Sequence, residues 1–143
     1  MAFNNSMKLI FVTVSQNTGA RIFEGDKAEN CINLQAGSAT YHTIVDKGFY
    51  LVSQKGSQKV SSPSYYKIVH SDLEVTEELM TKVMWLVYKT SYLYYNIAGS
   101  VRVPASLKYA MKLALMIDDR TTAKEESIKL DDKLIKMNSI FYL

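Results

Sequence analysis

Ser91–Leu115 reads SYLYYNIAGSVRVPASLKYAMKLAL. The residues predict a helix end, an exposed turn, a short extended piece and a second helix. Asn96 and Gly99 punctuate the turn, because both tolerate backbone conformations that other residues avoid. Arg102 lies on the extended piece. Pro104 suits the first helical position, where its missing N–H costs nothing. From there Leu107, Ala110, Met111, Ala114 and Leu115 recur at helical spacing and predict one apolar face. Lys108 and Lys112 are four apart and share another side.

Working outward, Thr76 to about Tyr94 predicts a long helix. Leu79, Val83, Trp85, Leu86 and Val87 give it a broad apolar face, and Glu77 and Glu78 complement the positive end of its dipole. Strands come before it. Met7–Val14 (MKLIFVTV) is nearly all apolar and reads as a strand buried on both faces. Asn17-Thr18-Gly19 is a turn, Ala20–Phe23 a short partner strand, and Glu24–Ala36 a polar loop. Gly37–Val45 (GSATYHTIV) is extended, Gly48 interrupts, and Phe49–Ser53 (FYLVS) is a strand. Lys55–Pro63 (KGSQKVSSP) is a loop of small and basic residues, and Tyr65–Val69 (YYKIV) another strand. Asp118–Lys136 is charged with mixed sign and reads as a surface loop, a weak helix or disorder. Ile140–Leu143 is an apolar end that docks somewhere. Strands followed by two helices give an α/β or α+β fold, with a sheet covered by helices on at least one face.

The length of 143 residues predicts one domain. At 48% hydrophobic the composition is that of a globular chain. It contains no apolar run long enough for a membrane span, and the first residues lack the pattern of a secretory signal. Cys31 is the one cysteine, which excludes an internal disulfide and a cysteine-based zinc site. A reducing, intracellular setting fits, nuclear or cytoplasmic alike. The net charge of +3 is unevenly spread: Lys47 to Lys112 carries nine basic residues against four acids. A basic centre suits a polyanion. Lysines solvated on helix and strand surfaces give the same count.

The stretch YLYYN…RVPA…YA-x-KLA resembles the last helix–turn–helix of the PIWI domain of Argonaute and Piwi proteins, the Piwi branch more than the Argonaute branch. The likeness extends across nearly the whole chain. FYLVSQ (Phe49–Gln54) resembles a Piwi strand, SPSYY (Ser62–Tyr66) the family's SPTxY, YKTSYLYYN (Tyr88–Asn96) its YKLCxLYYN, and Phe141-Tyr142-Leu143 its FYL terminus. The resemblance implies a partial RNase H-like α/β fold, a mixed sheet with two C-terminal helices packed on it. It implies that residues 1–143 correspond to the C-terminal portion of a PIWI domain. The strand with the first catalytic aspartate, the segment with the catalytic glutamate, and the PAZ and MID domains are expected to lie outside it.

In active relatives the resemblance implies RNA cleavage by two magnesium ions held by Asp, Glu, Asp and His. Counting from Gly37, the second aspartate falls on Tyr41; the histidine of YA-H-KLA falls on Met111. Neither side chain replaces a carboxylate or an imidazole at Mg²⁺, so no nuclease activity and no bound metal are expected. Asp46 is the fallback ligand, with His42 beside it. Met111 also reads as simple core packing.

For RNA binding more remains. Gln54, Lys55, Gln58 and Lys59 lie on the loop that in the family borders the guide–target groove, although Gln58-Lys59 stands where QG is usual. Arg102, Lys108 and Lys112 fall where the family faces the guide's 5′ portion. Arg102 reads equally well as a salt bridge to Asp72 or Glu74. Of Tyr92, Tyr94 and Tyr95, at least two are expected in the core and any exposed ring could stack on a base. The carboxylate of Leu143 falls near the family's guide 5′-phosphate pocket. The expected partners are single-stranded RNA or a guide–target duplex in small-RNA silencing, with remaining Argonaute domains in cis or trans. A protein-interaction module derived from a PIWI domain, and a non-functional fragment, are the competing readings.

Overall fold

The computed structural model describes residues 7–25, 31–43, 47–55 and 62–121. Strands β1 (Ile10–Ser15), β2 (Phe23–Glu24), β3 (Ile32–Asn33), β4 (Ser38–Thr43), β5 (Gly48–Val52) and β6 (Ser64–Ser71) precede helices α1 (Glu77–Thr90) and α2 (Ala105–Thr121). Four of them form one sheet in the order β1-β6-β5-β4, while β2 and β3 make a separate two-stranded ribbon. A sheet followed by two helices is what the sequence leads one to expect. Within the sheet every pairing among the described residues is antiparallel.

The core sits between the two inner strands and α1. The run FYLV of β5 is apolar because both of its faces are covered, and Phe49, Leu51 and Val52 are buried. Phe49 stacks on Tyr66 of β6, ring centroids 5.0 Å apart and planes within 10°. Leu51, Ile68, Met80 and Val83 complete the cluster. Burying side chains of this size stabilises the fold by about 1.5–3 kcal/mol each.

Three strand expectations change. Met7–Val14 is not a strand buried on both faces. β1 alternates: Ile10, Val12 and Val14 pack against the core, while Phe11, Thr13 and Ser15 face outward. It lies at the sheet edge with α1 over one side only, so the two-residue period of a strand exposes every second residue. Phe11 is 55% exposed. Ala20–Phe23 does not pair with β1. Phe23–Glu24 pairs instead with Ile32–Asn33, inside the stretch read as a loop.

Helix α1 starts at Thr76, whose Oγ1 accepts the Leu79 N–H at 3.2 Å. It stops at Thr90, short of Tyr94. There the Ser91 hydroxyl donates to the Tyr88 carbonyl at 2.7 Å, and the Ser91 carbonyl accepts from Val101 N–H at 2.9 Å. The chain is thereby folded back on itself instead of continuing the helix. The apolar face is narrower than its sequence: Met80 and Val83 are buried, but Trp85 and Leu86 are 57% and 64% exposed.

Helix α2 follows Pro104, whose carbonyl accepts the Lys108 N–H at 3.0 Å. Pro104 therefore stands just outside the first turn rather than in it. The helix runs on through Thr121, past the Asp118 boundary where a loop, weak helix or disorder was expected. Its buried contacts come from the first turns: Ala105 and Tyr109 pack against Tyr94 and Val101, with the Tyr94 and Tyr109 rings 4.9 Å apart. The stripe Ala110, Met111, Ala114 and Leu115 is exposed among the described residues, and only Leu107 of that set is half-buried. Helical spacing marked the stripe correctly as one face; the contacts that order α2 lie on another. Residues 122–136 and Ile140–Leu143 fall outside the described residues.

Candidate nucleic-acid interface

One end of the sheet gathers four loops, because antiparallel strands deliver alternate connections to the same end. Ser15 of β1 pairs with Tyr65 near the start of β6, and Leu51 near the end of β5 pairs with Ser64. Gln16–Arg21, Ser53–Lys55, Ser62-Pro63 and Ser100–Val103 therefore meet there. Side chains fasten them. Ser100 Oγ donates to the Ser53 carbonyl at 2.6 Å, and Ser64 Oγ to the Arg102 carbonyl at 3.3 Å. Arg102 Nη2 donates to the Gln16 carbonyl at 2.7 Å. The Val101 and Val103 side chains are buried on either side of Arg102, so the extended piece is anchored and the arginine turns the opposite way.

The resulting cavity measures about 190 Å³ and is lined by Gln16, Thr18, Gly19, Arg21, Ser62 and Arg102 among others. Arg21 and Arg102 both line it and, among the described residues, no carboxylate does, which suits an anion; Arg21 Nη1 donates to the Ala20 carbonyl at 2.8 Å. Gly19 takes a left-handed backbone, φ 67°, to turn the chain between β1 and Arg21. Behind Arg102, three buried polar atoms have no hydrogen-bond partner among the described residues: Arg102 Nε, Ser53 Oγ and the Tyr66 hydroxyl. Burial pushes the Tyr66 hydroxyl up to about 12, against the opposing effect of the neighbouring Ser53 and Ser64 hydroxyls and the Arg102 charge.

Arg102 does not form the salt bridge to Asp72 or Glu74. Asp72 stands at the opposite end of the sheet, where its carboxylate accepts the Leu9 N–H at 2.8 Å and faces His70 Nε2 at 3.1 Å. Those contacts hold its carboxyl below the usual range. Gln54 and Lys55 are exposed at the loop end; Gln58 and Lys59 lie outside the described residues. Lys108 is exposed on the first turns of α2 and Lys112 half-buried one turn on. The remaining lysines of the basic centre disperse. Lys47 and Lys67 lie at the far end of the sheet, Lys82 pairs with Glu78 at 2.6 Å, and Lys89 sits 5.1 Å over the Trp85 ring. Of the three tyrosines only Tyr94 is buried; Tyr92 and Tyr95 are 47% and 84% exposed. Tyr92 shares a 2.7 Å hydroxyl contact with Tyr88, and the Tyr95 N–H is held by the Tyr109 hydroxyl at 2.9 Å. Tyr95 is therefore the ring presented to solvent on a fixed backbone.

Tyr41 and Met111, the positions counted as the family's second aspartate and its histidine, lie on β4 and α2. Tyr41 of β4 pairs with Phe49, Phe49 with Tyr66, and Tyr66 with Val14 of β1, spanning the sheet from edge to edge. Three inter-strand steps amount to about 14 Å. Met111 lies past the β1 edge, where its Sδ accepts from Gln16 Nε2 at 3.2 Å. Met111 is not core packing, being 39% exposed. Asp46 and Leu143 lie outside the described residues, and His42 falls on β4 beside Tyr41. Among the described residues no group of three or more His, Cys, Asp or Glu is disposed to hold a metal ion, and no helix is long and apolar enough to cross a membrane.

Sequence reasoning missed Arg21, Gln16 and the serine tethers. Arg21 was legible as the basic residue just after a turn. Gln16 acts largely through its backbone carbonyl, which no side-chain pattern announces.

The Piwi domain family model matches residues 2–121. The chain is 45% identical over 118 residues to the protein piwi of Drosophila melanogaster, covering 77% of this chain and 12% of that protein. It is 31% identical over 131 residues to the Piwi-like protein Ago3 of Bombyx mori, covering 90% of this chain and 14% of that protein. It thus spans about a seventh of the length of such relatives. The crystal structure of Drosophila Piwi superposes with a TM-score of 0.66 at 34% identity, over 77% of this chain and 15% of that one. A Clostridium butyricum Argonaute bound to a guide DNA and a 19-mer target DNA shares the fold at a TM-score of 0.60 and 20% identity, over 76% of this chain and 14% of that one.

Proposed function

The chain belongs to the Piwi domain family, and from that premise we propose that it binds the sugar–phosphate backbone of single-stranded RNA or a guide–target duplex, in small-RNA silencing, without cutting it. The observation that carries the reading is the pair of arginines, Arg102 and Arg21, at one cavity that no carboxylate lines among the described residues. Phosphates take the largest share of protein–nucleic acid hydrogen bonds, and arginine's planar fork matches their oxygens. Gln54, Lys55, Lys108 and Lys112 extend the positive surface, with Gln58, Lys59 and the Leu143 carboxylate as further proposed contacts. Tyr95 offers a stacking face. The Argonaute noted above, whose PIWI lobe has the same fold, is bound to guide and target strands.

Two features support binding without cleavage. Met111 offers a soft thioether where the family pattern has histidine, and Mg²⁺ takes hard oxygen ligands. That thioether is already engaged by Gln16. With residues 1–143 as the C-terminal portion of a PIWI domain, the first aspartate and the glutamate of a two-metal site are expected outside this portion, and the remaining Argonaute domains are expected partners in cis or in trans. The test is fluorescence anisotropy with a single-stranded RNA across a salt series. Affinity that falls with salt and weakens in Arg102→Ala and Arg21→Ala supports the reading; affinity absent at low salt refutes it.

A second reading has its own observation. A groove of about 550 Å³ runs between the start of β4 and α1, flanked by Met84, Trp85 and Tyr88. Leu86 and Leu93 are exposed nearby on the same helix and its following turn. Apolar surface of this kind is typical of protein-interaction modules.

A further inference from the structure

We propose that Ser62 is a phosphorylation site and that its phosphate is received by the cavity between Arg21 and Arg102. Ser62 is followed by Pro63, the dipeptide that proline-directed kinases require. It is half-buried and lines the cavity, as do Arg21 and Arg102. Thr18 Oγ1 donates to the Pro63 carbonyl at 3.4 Å, which fixes this peptide against the turn that carries Arg21. Arg102 has one nitrogen committed to the Gln16 carbonyl, while its buried Nε has no partner among the described residues.

The chemistry is a phosphoryl transfer. The Ser62 Oγ bonds to the γ-phosphorus of ATP, the bond to the β,γ-bridging oxygen breaks, ADP leaves, and the hydroxyl proton passes to the kinase's base. The product carries about −1.5 to −2 charge and three acceptor oxygens, and such a group opposite arginines forms charge-assisted hydrogen bonds that order its segment. The cavity of about 190 Å³ has room for it, since a water occupies about 30 Å³. Among the described residues no carboxylate lines the cavity to compete for either guanidinium.

The consequence rests on the nucleic-acid reading above. A phosphoserine in this cavity occupies the two groups that would hold a strand's phosphate, so modification switches binding off from within the site.

The experiment treats the purified chain with a proline-directed kinase and ATP. Intact mass should show one phosphate, absent in Ser62→Ala. Phosphorus NMR titration should place the phosphate below its usual second pKa of about 6, returning toward it in Arg21→Ala. RNA affinity of the modified chain should fall roughly tenfold or more. The proposal is overturned if the folded chain resists the kinase while a peptide of residues 55–66 is modified, or if the phosphate titrates normally and ignores Arg21→Ala. If the unmodified chain shows no RNA affinity, the functional reading fails, and the phosphorus titration still decides this proposal by itself.

Discussion

Gln16 reaches two residues that lie 95 and 86 positions along the chain from it: its side-chain Nε2 donates to Met111 Sδ at 3.2 Å, and its own backbone carbonyl takes the guanidinium of Arg102. The residue where the family pattern has a histidine is thus tied to the residue that holds the cavity. Replacing Met111 with histidine supplies an imidazole but no carboxylates, so Met111→His should remain unable to cut a labelled RNA in Mg²⁺ or Mn²⁺, as should the unmodified chain. Metal-dependent product on a denaturing gel from either protein would contradict the non-cleaving reading.

Arg102→Ala should weaken single-stranded RNA binding about tenfold and lower the slope of log affinity against log salt by about one phosphate contact. Arg102→Lys should recover the charge but not the affinity, because an ammonium cannot hold the Gln16 carbonyl and a phosphate in one plane. A lysine variant indistinguishable from wild type in anisotropy would show that charge alone suffices.

Tyr66 gives a pH signature. Its hydroxyl ionises near the ordinary value of 10 in the unfolded chain and near 12 in the fold. Between those values the unfolded chain has released a proton that the folded one retains, so stability is full below pH 10 and falls as pH rises toward 12. A shift of two units corresponds to about 3 kcal/mol at most. Tyr66→Phe should flatten that alkaline limb in urea titrations. It should be neutral or slightly stabilising at pH 7, since it removes a buried hydroxyl with no partner among the described residues.

Gly48 is needed for space. A Cβ there would overlap the Tyr65 ring, which lies across the strand pair. Gly48→Ala should cost about 1–3 kcal/mol by displacing that ring and its 4.8 Å contact with Tyr50. Thermal melting would register it. Gly19→Ala meets nothing within 4 Å and should act only through its positive φ, by about 1 kcal/mol.

The strands β4, β5 and β6 and both helices were legible because each carries its own period and its own punctuation. FYLV reads as buried at a glance, and Thr76 with Glu77 and Glu78 announces a helix start. What was not legible is which faces find partners. MKLIFVTV has the composition of a central strand but lies at an edge, and the α2 stripe is as periodic as a buried one yet stays exposed. Arg102 stood out through its neighbours in the sequence; its partner, a backbone carbonyl, leaves no trace in side-chain chemistry.

The ties that hold the cavity join residues 38, 47 and 86 positions apart. Contacts of such long reach close large loops and are made only after local structure has formed. The site therefore exists only where distant parts of the chain have come together. A strand bound there would stabilise the folded chain as a whole by mass action.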